Sequence, residues 1–281
     1  MSSLVSFTFL KIDKGVVFSA SIIPGMLASH HPHPRDANIQ FEEVAHKYTI
    51  ADGGTYTSVT TFIKPLFEEF DADRVIEGMR KSRKWPQSKY FGMEPEDIKA
   101  QWSASGAEAA TAGTLLHADI ERFYNGEVVD NSSIEYGYFQ TFAASCPLRP
   151  YRTEWTVYDE DVHIAGSIDM VFERSDGVLE IYDWKRTKSI DKANAWGKYG
   201  KHAAIAHLPD TNYWHYALQL NLYKFILEHK YEKTVGGLYL VRLHPESPKY
   251  ECVPVCDLQT EVRELLDIHL ASPDTPDASP N

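Results

Sequence analysis

Hydrophobic and polar positions alternate over several short stretches in the second half of the chain, as they do in half-buried β-strands. Asp176-Gly177 separates two of these stretches and predicts a tight turn, whereas residues 211–230 have the spacing of a long helix. The order of elements predicts an α/β fold with a mixed central β-sheet flanked by helices. The predicted strands are 152–159, 164–173, 178–184, 235–243 and 250–255.

The stretch before these strands has the pattern of a β-hairpin. Apolar residues at Phe41, Tyr48 and Ile50 are followed by Asp52-Gly53-Gly54, and a second strand-like run covers residues 56–61. Glycine readily adopts the positive φ angles that tight hairpin turns need. We therefore predict a hairpin whose turn lies at the two glycines.

Three helices are predicted between the hairpin and the strands, at residues 72–84, 95–103 and 105–125. Ser105 is a candidate N-cap of the third helix, because its hydroxyl can accept a hydrogen bond from a free backbone amide. Gly126 is suited to end that helix, since glycine adopts the left-handed conformation that is common after a last helical turn.

The two chain ends differ in composition from the middle. Residues 271–281 are mostly Pro, Asp and Ser with nothing to bury, and we predict a disordered tail there. Residues 24–37 have a loop-like sequence with prolines and histidines, so residues 1–37 are predicted to be an N-terminal extension. Residues 38–270 remain as the predicted functional domain, and the hydrophobic content of 43% is enough for one substantial core.

Charge and composition limit the classes of function. A net charge of −12 argues against nucleic-acid binding, but net charge averages over all faces, and carboxylates that hold divalent cations contribute to it. The chain has no run of about 18 apolar residues that could span a membrane. Its first ten residues lack the basic opening of a secretory signal, and its three cysteines form no CxxC pair. We predict a soluble, intracellular protein and leave its compartment open.

Three polar residues stand out on the predicted strands. Asp169 lies among apolar residues of one strand, while Asp183 and Lys185 end the next. Residues two apart point to the same side of a strand, so the three side chains are expected to meet. Two close carboxylates repel each other unless a divalent cation lies between them, and a lysine beside it can stabilise negative charge on phosphorus. The alternative is a surface hairpin with a weak Asp183–Lys185 ion pair.

The pattern Gly166-x-x-Asp169, followed by Asp183-x-Lys185, resembles the signature of the PD-(D/E)XK nuclease superfamily. The resemblance implies a restriction-endonuclease-like core over residues 38–270. It also implies a divalent-metal-dependent DNA exonuclease that acts on single-stranded DNA or DNA ends in repair, recombination or replication. Two alternatives stay open: a structure-selective or nonspecific endonuclease with the same site, and a non-catalytic nucleic-acid-binding module.

Two further elements are similar to those of RecB-type exonucleases. Gly113-x-x-x-His117 precedes the strands, and Gln219-x-x-x-Tyr223 follows them on the long predicted helix. Mitochondrial genome-maintenance exonucleases and nucleases of phages and large DNA viruses have the same order of elements. The nucleus, a mitochondrion or an infected host cell are therefore all compatible compartments.

The resemblance also implies a set of metal ligands. His117 would join Asp169, Asp183 and the backbone carbonyl of Trp184 in holding Mg²⁺ or Mn²⁺, with two ions expected and Lys185 aligning the attacking water. The imidazole favours Mn²⁺ in a site that still accepts Mg²⁺. A packed helix histidine is the alternative role for His117.

Four other residues have two possible roles each. Glu121 lies four positions after His117 on the same helix face, where it can bind the second metal or hold His117 by a hydrogen bond. Gln219 and Tyr223 would touch the active-site strand or the DNA, the alternative being a polar patch on an amphipathic helix. Glu154 is a further candidate acid, or else a salt-bridged edge residue.

Basic residues interleaved with aromatic ones mark the predicted path of nucleic acid, since charge suits phosphate and a flat ring suits a base. Trp85 and Trp102 are candidates for base stacking beside the first basic group. The alternative is a pair of solvated faces. The predicted nucleic-acid-binding residues are Arg80, Lys81, Arg83, Lys84, Arg186, Lys188 and Trp196.

Overall fold

A computed structural model describes residues 27–42, 47–194 and 197–271 of the chain. It confirms the predicted α/β fold, with a mixed central sheet flanked by helices. The strands are β1 (Ile39–Glu42), β2 (Lys47–Ile50), β3 (Thr57–Ser58), β4 (Arg149–Asp159), β5 (Ile164–Glu173), β6 (Leu179–Lys185), β7 (Val235–Arg242) and β8 (Glu251–Pro254). The α-helices are α1 (Leu27–His30), α2 (Val59–Ile63), α3 (Ala72–Lys81), α4 (Pro95–Tyr124), α5 (Ile134–Ser145), α6 (Asn212–Lys230) and α7 (Gln259–Ala271).

The central sheet has six strands and a fork at its middle. β4, β5 and β6 form an antiparallel meander, β6 pairs in parallel with β7, and β8 closes the edge antiparallel to β7. The edge of β5 opposite β4 pairs with two different strands. β6 pairs with residues 170–173 of this edge, and β3 pairs in parallel with residues 164 and 165. Between these stretches β5 and β6 separate, which leaves backbone and side-chain groups of both strands free for other partners.

Helices cover both faces of the sheet, which explains why the central strands are apolar almost throughout. Successive strand residues point to opposite faces, so Ile181 packs into the cluster that contains α6 and α7, while Tyr182 packs into the cluster that contains α4 and α5. Both layers exclude water from the middle of the sheet. The side chains at the fork are therefore the polar exceptions in an apolar setting.

The predicted glycine-turn hairpin is wrong. The hairpin is formed by β1 and β2, upstream of the glycines, and the chain after them runs into β3, which pairs with β5 rather than with β2. Only Thr57 and Ser58 of the predicted second strand are extended. Ser58 accepts a hydrogen bond from the Thr61 amide and begins α2, so helix capping replaces the predicted strand.

The prediction of two helices separated at Ser105 is also wrong. α4 is a single helix that runs through Ser105 and Gly106 to Tyr124, because local weak helix formers cost only about 1 kcal/mol each and do not outweigh a long helix. Gly126 follows its end with a φ of 81°, as predicted. Helices α5 and α7 were not predicted.

One part of the molecule has almost no core of its own. Residues 72–111, which we call the arm, comprise α3, the following turns and the first half of α4. Within the arm only Ile76 and Ile98 are buried, and residues 103–111 are exposed on every side of the helix. The second half of α4 packs against the sheet, so the arm is a helical projection that continues from the body through α4.

The structure describes only part of the predicted N-terminal extension and of the predicted tail. Residues 1–26 of the predicted extension and 272–281 of the predicted tail lie outside the described residues. The described part of the extension packs on β4, where Asp36 accepts hydrogen bonds from Arg152 at 2.7 Å and from the Trp155 indole at 2.9 Å.

Candidate active site

Three carboxylates lie in a row across neighbouring strands at the fork. Asp169 on β5 continues the register that pairs Met170 with Tyr182, and so faces Asp183 on β6. On its other side it continues the register of β4, and so faces Glu154. Side chains directly opposite on paired antiparallel strands have Cβ atoms about 4.5–5.5 Å apart, which applies to Glu154 and Asp169 within the paired stretch of β4 and β5. The row therefore concentrates negative charge in a mostly apolar sheet.

Asp169 is held by the backbone of the neighbouring strand. Its Oδ2 accepts a hydrogen bond of 2.9 Å from the Trp184 amide, which lies beyond the last β5–β6 pair. The side chain thus occupies the place that a strand carbonyl would have taken if the sheet had continued. This contact fixes Asp169 beside the last residues of β6.

His117 reaches this point from the second half of α4. Its Nε2 donates to the carbonyl oxygen of Trp184 at 2.9 Å, and its Nδ1 lies 3.5 Å from Asp169 Oδ2. The two nitrogens thus face two oxygens from different strands. The structure brings together the predicted metal-binding groups of His117, Asp169 and Trp184.

The arrangement fits a divalent cation. Neighbouring ligands of an octahedral ion with bonds of about 2.1 Å are about 3 Å apart, and the 3.5 Å between His117 Nδ1 and Asp169 Oδ2 is close to this spacing. The donor atoms of His117, Asp169 and Glu154 lie within 4.8 Å of one another. Asp183 Oδ1 is buried and has no hydrogen-bond partner among the described residues.

Asp183 and Lys185 form a buried ion pair, with Lys185 Nζ 2.7 Å from Asp183 Oδ2. Asp183 is only 2% exposed, and burial together with the nearby Asp169 charge raises its pKa to about 6, although Lys185 opposes the shift. Burial by itself would lower the pKa of Lys185, but the charges of Asp183 and Asp169 outweigh it and leave that pKa above its ordinary value. Lys185 is therefore a fixed positive charge at the site.

Two side chains of α6 hold Lys185 in place. Its Nζ donates to Gln219 Oε1 at 3.5 Å and lies 4.5 Å from the centre of the Tyr216 ring. An ammonium over a tyrosine face is stabilised by about 0.5–2 kcal/mol, depending on its desolvation. Tyr216 was not predicted as a site residue. It lies one turn before Gln219, and this helical spacing could have indicated that the two side chains share a face.

Tyr223 has a buried position behind the site. It is 3% exposed, its hydroxyl accepts a hydrogen bond of 3.3 Å from Gln219, and burial raises its pKa well above the ordinary value. Its ring packs on the backbone of Gly166, where a Cβ would come within 2.7 Å of Tyr223 Cε1. Tyr223 was predicted to touch the active-site strand or the DNA. The structure shows its contact with the active-site strand, on a side of that strand that is buried from solvent.

Glu154 differs from its neighbours in β4 by its backbone and its surroundings. Its φ of 42° is left-handed, which costs a residue with a side chain about 1–3 kcal/mol. Burial, followed by the Asp169 charge, raises its pKa to about 8, and one hydrogen bond of 3.0 Å from Ser167 partly opposes this. No ion pair within the described ranges reaches Glu154, so the salt-bridged alternative is not seen.

The other predicted residues lie farther from this centre. Glu121 is half-buried on α4, and its charge contributes to the raised pKa of Glu154, but it is outside the group of three close donors. Arg186 pairs with Glu135 at 2.7 Å, and the exposed Lys188 pairs with Glu246 at 2.8 Å. Both basic residues directly follow β6, at the end of the sheet that carries the site.

The first basic group lies on the arm. Lys81 pairs with Glu77, whereas Arg80, Arg83 and Lys84 are exposed and have no ion pair with a described acid. Trp85 packs edge-on against Phe91, and the Trp102 indole donates a hydrogen bond to Tyr90 at 2.8 Å. Both tryptophan rings therefore have contacts inside the arm. Trp196 lies outside the described residues.

The chain has similarities to known proteins in sequence and in structure. A sequence model of the PD-(D/E)XK nuclease superfamily matches residues 131–272, half of the chain, with His117 ahead of the matched region. The crystal structure of SSO0001 is similar at 15% identity, with a TM-score of 0.31, over 77% of this chain and 76% of that one. A predicted exonuclease from Eubacterium rectale is similar at 14% identity, with a TM-score of 0.34, over 77% of this chain and 79% of that one. No curated protein sequence matches the chain.

Proposed function

The chain belongs to the PD-(D/E)XK nuclease superfamily, and from this premise we propose that it is a divalent-metal-dependent deoxyribonuclease. We further propose that it works as an exonuclease on single-stranded DNA or DNA ends, in repair, recombination or replication. The convergence of His117, Asp169 and the Trp184 carbonyl beside the Asp183–Lys185 pair supports the nuclease activity. The exonuclease mode is supported by the RecB-type motifs around His117 and Gln219.

The metal ligands in this proposal are His117, Asp169, Asp183 and the Trp184 carbonyl. Oxygen donors suit Mg²⁺, and the single imidazole favours Mn²⁺. A bound cation of this kind polarises a phosphate oxygen and lowers the pKa of bound water. Glu121 lies about one helical turn after His117 on α4 and outside the group of three close donors, and it remains a candidate ligand for a second ion.

Lys185 is the side chain that acts directly on the water and the phosphate in this proposal. The ion pair with Asp183 keeps it charged, and the contacts with Gln219 and Tyr216 keep its Nζ at one place. A fixed ammonium can donate a hydrogen bond to a water and stabilise the charge that develops on a phosphate during attack. Tyr223 positions α6 on β5 and has no contact with substrate in this proposal.

The proposed nucleic-acid path joins the site to the arm. Between residues 78 and 93 the arm has five basic residues and no acidic one, in a chain whose net charge is −12. From Trp102 to His117 the α4 axis rises about 22 Å, at about 1.5 Å per residue. A bound strand of a few nucleotides could therefore touch Arg80, Arg83 and Lys84 while its end lies at the metal ligands.

Digestion of labelled DNA tests the proposal. Single and double strands labelled at either end are incubated with Mg²⁺, with Mn²⁺ and with EDTA, for the wild type and Asp183→Asn. Cleavage should need the metal and be lost in the variant, whose near-isosteric side chain preserves the fold. Glu180→Gln is the matched control, because Glu180 is a buried acid of the same strand outside the site. Full activity of pure Asp183→Asn protein would overturn the assignment.

Circular single-stranded DNA separates the exonuclease from its rivals. An exonuclease leaves the circle intact and degrades its linear form. Cleavage of the circle would identify an endonuclease that uses the same residues, and binding without cleavage under every metal condition would identify a non-catalytic module.

A further inference from the structure

Two arginines at the end of the sheet that carries the site differ in how many of their donors are used. Arg242, the last residue of β7, contacts Glu251 through both Nε and Nη2 and donates to Ser247 through Nη1. Arg186 has one ion pair, between its Nε and Glu135. Neither terminal nitrogen of Arg186 has a hydrogen-bond partner among the described residues. Arg186 therefore has two unused donor groups.

These donors lie next to the proposed metal ligands. Arg186 directly follows Lys185, whose carbonyl oxygen accepts a hydrogen bond of 2.9 Å from the Leu243 amide, so β6 and β7 still pair at this point. At about 3.3 Å per residue, Arg186 is about 7 Å along the strand from Trp184. Residues two apart share a face of a sheet, and the Trp184 face is the one that α4 and α5 cover. Arg186 thus lies on the face from which the arm extends.

Glu135, in the first turn of α5, holds the guanidinium from one side. Its carboxylate accepts a hydrogen bond of 2.7 Å from Arg186 Nε, and the two side chains are only 11% and 18% exposed. Burial alone would raise the pKa of Glu135, but its own backbone amide and Arg186 outweigh burial and leave that pKa below the ordinary value. Glu135 is therefore a permanent anion that fixes one edge of the guanidinium.

The open end of the guanidinium is suited to a phosphate. Arginine presents paired N–H groups in one plane, and these match two oxygens of a phosphate. A pair that only fastened α5 to the sheet could use two nitrogens on the carboxylate, as Arg242 does with Glu251. The contact between Arg186 and Glu135 uses Nε alone and leaves the paired terminal nitrogens for another anion.

We propose that Arg186 binds a phosphate of the nucleic acid next to the one that is cleaved, and that Glu135 is a positioning residue which holds the guanidinium for this contact. The inference rests on the proposed nuclease function and deepens it, because it gives one substrate phosphate a defined place beside the end of β6. An internucleotide phosphate and a terminal phosphate present the same oxygens, and the experiment distinguishes them.

Fluorescence anisotropy with labelled single-stranded DNA in EDTA measures the contact without cleavage. Arg186→Met should weaken binding about tenfold to a hundredfold and reduce the salt dependence by about one phosphate contact. Arg186→Lys, which keeps the charge but loses the paired donors, should recover only part of the affinity. The control Arg174→Met removes an arginine that pairs with Asp176 in the turn at the opposite end of β6, and it should bind like the wild type.

Variants of Glu135 separate positioning from simple neutralisation. Glu135→Ala should weaken DNA binding severalfold, because the guanidinium is no longer held, and Glu135→Gln should restore binding because its amide oxygen still accepts from Arg186 Nε. If Glu135 only neutralised Arg186, its removal would free a positive charge and strengthen binding. Circular dichroism checks that each variant is folded.

A methylphosphonate, which removes the charge of a single phosphate, locates the contact along the strand. At one position it should weaken binding to the wild type and leave binding to Arg186→Met unchanged, as expected for two changes that remove the same interaction. DNA with and without a terminal phosphate shows whether that position is the end of the strand. Equal losses in both proteins at every phosphate, or tighter binding by Glu135→Ala, would overturn the assignment.

The assignment and the proposed function fail differently. In cleavage assays Arg186→Met should raise KM with little change in kcat, since the contact is made before and during the reaction. Cleavage with an unchanged KM in Arg186→Met overturns the role of Arg186 and leaves the nuclease proposal intact. Binding that depends on Arg186, without cleavage under any metal condition, overturns the nuclease proposal and leaves the phosphate contact intact.

Discussion

Replacing Glu154 by glutamine should stabilise the metal-free protein, by an amount that increases with pH. The Glu154 carboxyl has an ordinary pKa of 4.5, and its pKa in the folded protein is raised to about 8. Between these two values the carboxyl holds its proton in the folded state and loses it in the unfolded chain. Unfolding then releases a proton, so this group makes the folded state progressively less stable as pH rises from about 4.5 to 8.

The magnitude follows from the two pKa values. Each pKa unit corresponds to about 1.4 kcal/mol, so the unfavourable contribution of Glu154 is about 1 kcal/mol at pH 5, about 3 kcal/mol at pH 7 and about 4 kcal/mol at pH 8. Glutamine has the same shape and no charge to bury, and so removes this contribution. Partial access of water to the site makes these figures upper bounds.

Urea unfolding in EDTA measures the effect. The free energy of unfolding of the wild type and of Glu154→Gln is determined between pH 5 and pH 8.5. The difference between the two values removes the pH dependence that both proteins share through their other titratable groups. We expect the variant's advantage to grow by about 3 kcal/mol across this range. A difference that does not change with pH would refute the burial of Glu154 among unneutralised carboxylates.

Three further predictions concern the groups around the row. Gly166→Ala should lower the free energy of unfolding by about 1–3 kcal/mol in urea titrations, because the new Cβ overlaps Tyr223. The control Gly113→Ala, which adds its Cβ in open space on α4, should not lower it. Equal effects of the two substitutions would exclude a specific clash at Gly166. Tyr216→Leu should lower kcat about tenfold with little change in KM, whereas Tyr216→Phe should retain activity because the ring face over Lys185 remains; equal loss in both variants would contradict the ring contact. The double change Arg83→Glu and Lys84→Glu should weaken DNA binding and reduce the salt dependence by about two phosphate contacts in fluorescence anisotropy, and an unchanged slope would remove the arm from the DNA path.

Local pattern was sufficient to predict the strands that carry the site. Asp169 and Asp183 belong to strands joined by a short turn that contains Asp176 and Gly177, so spacing along the chain indicated that they meet. His117, Gln219 and Tyr223 could be placed through the resemblance of their motifs. The predicted α/β fold needed only the order of the elements.

The features that were missed depend on register and on long-range packing. Glu154 was a candidate acid in the sequence, but its position opposite Asp169 was not predicted, because it depends on the register of β4 and β5, which has an irregularity near Pro150 and which turn residues alone do not define. The hairpin prediction failed because two adjacent glycines allow a turn without saying which strands it joins. α4 continues through Ser105 because helix propensity is a weak local preference.

The contact between Tyr223 and Gly166 restricts the order in which this site can change during evolution. The two residues are far apart in sequence, yet the ring occupies the space that any side chain at position 166 would need. A larger residue at 166 is tolerated only after the ring has been reduced, and a reduced ring by itself leaves a cavity behind the strand of Asp169. Single substitutions at either position are therefore harmful on their own, and descendants of this chain are expected to keep the pair or to replace both members together.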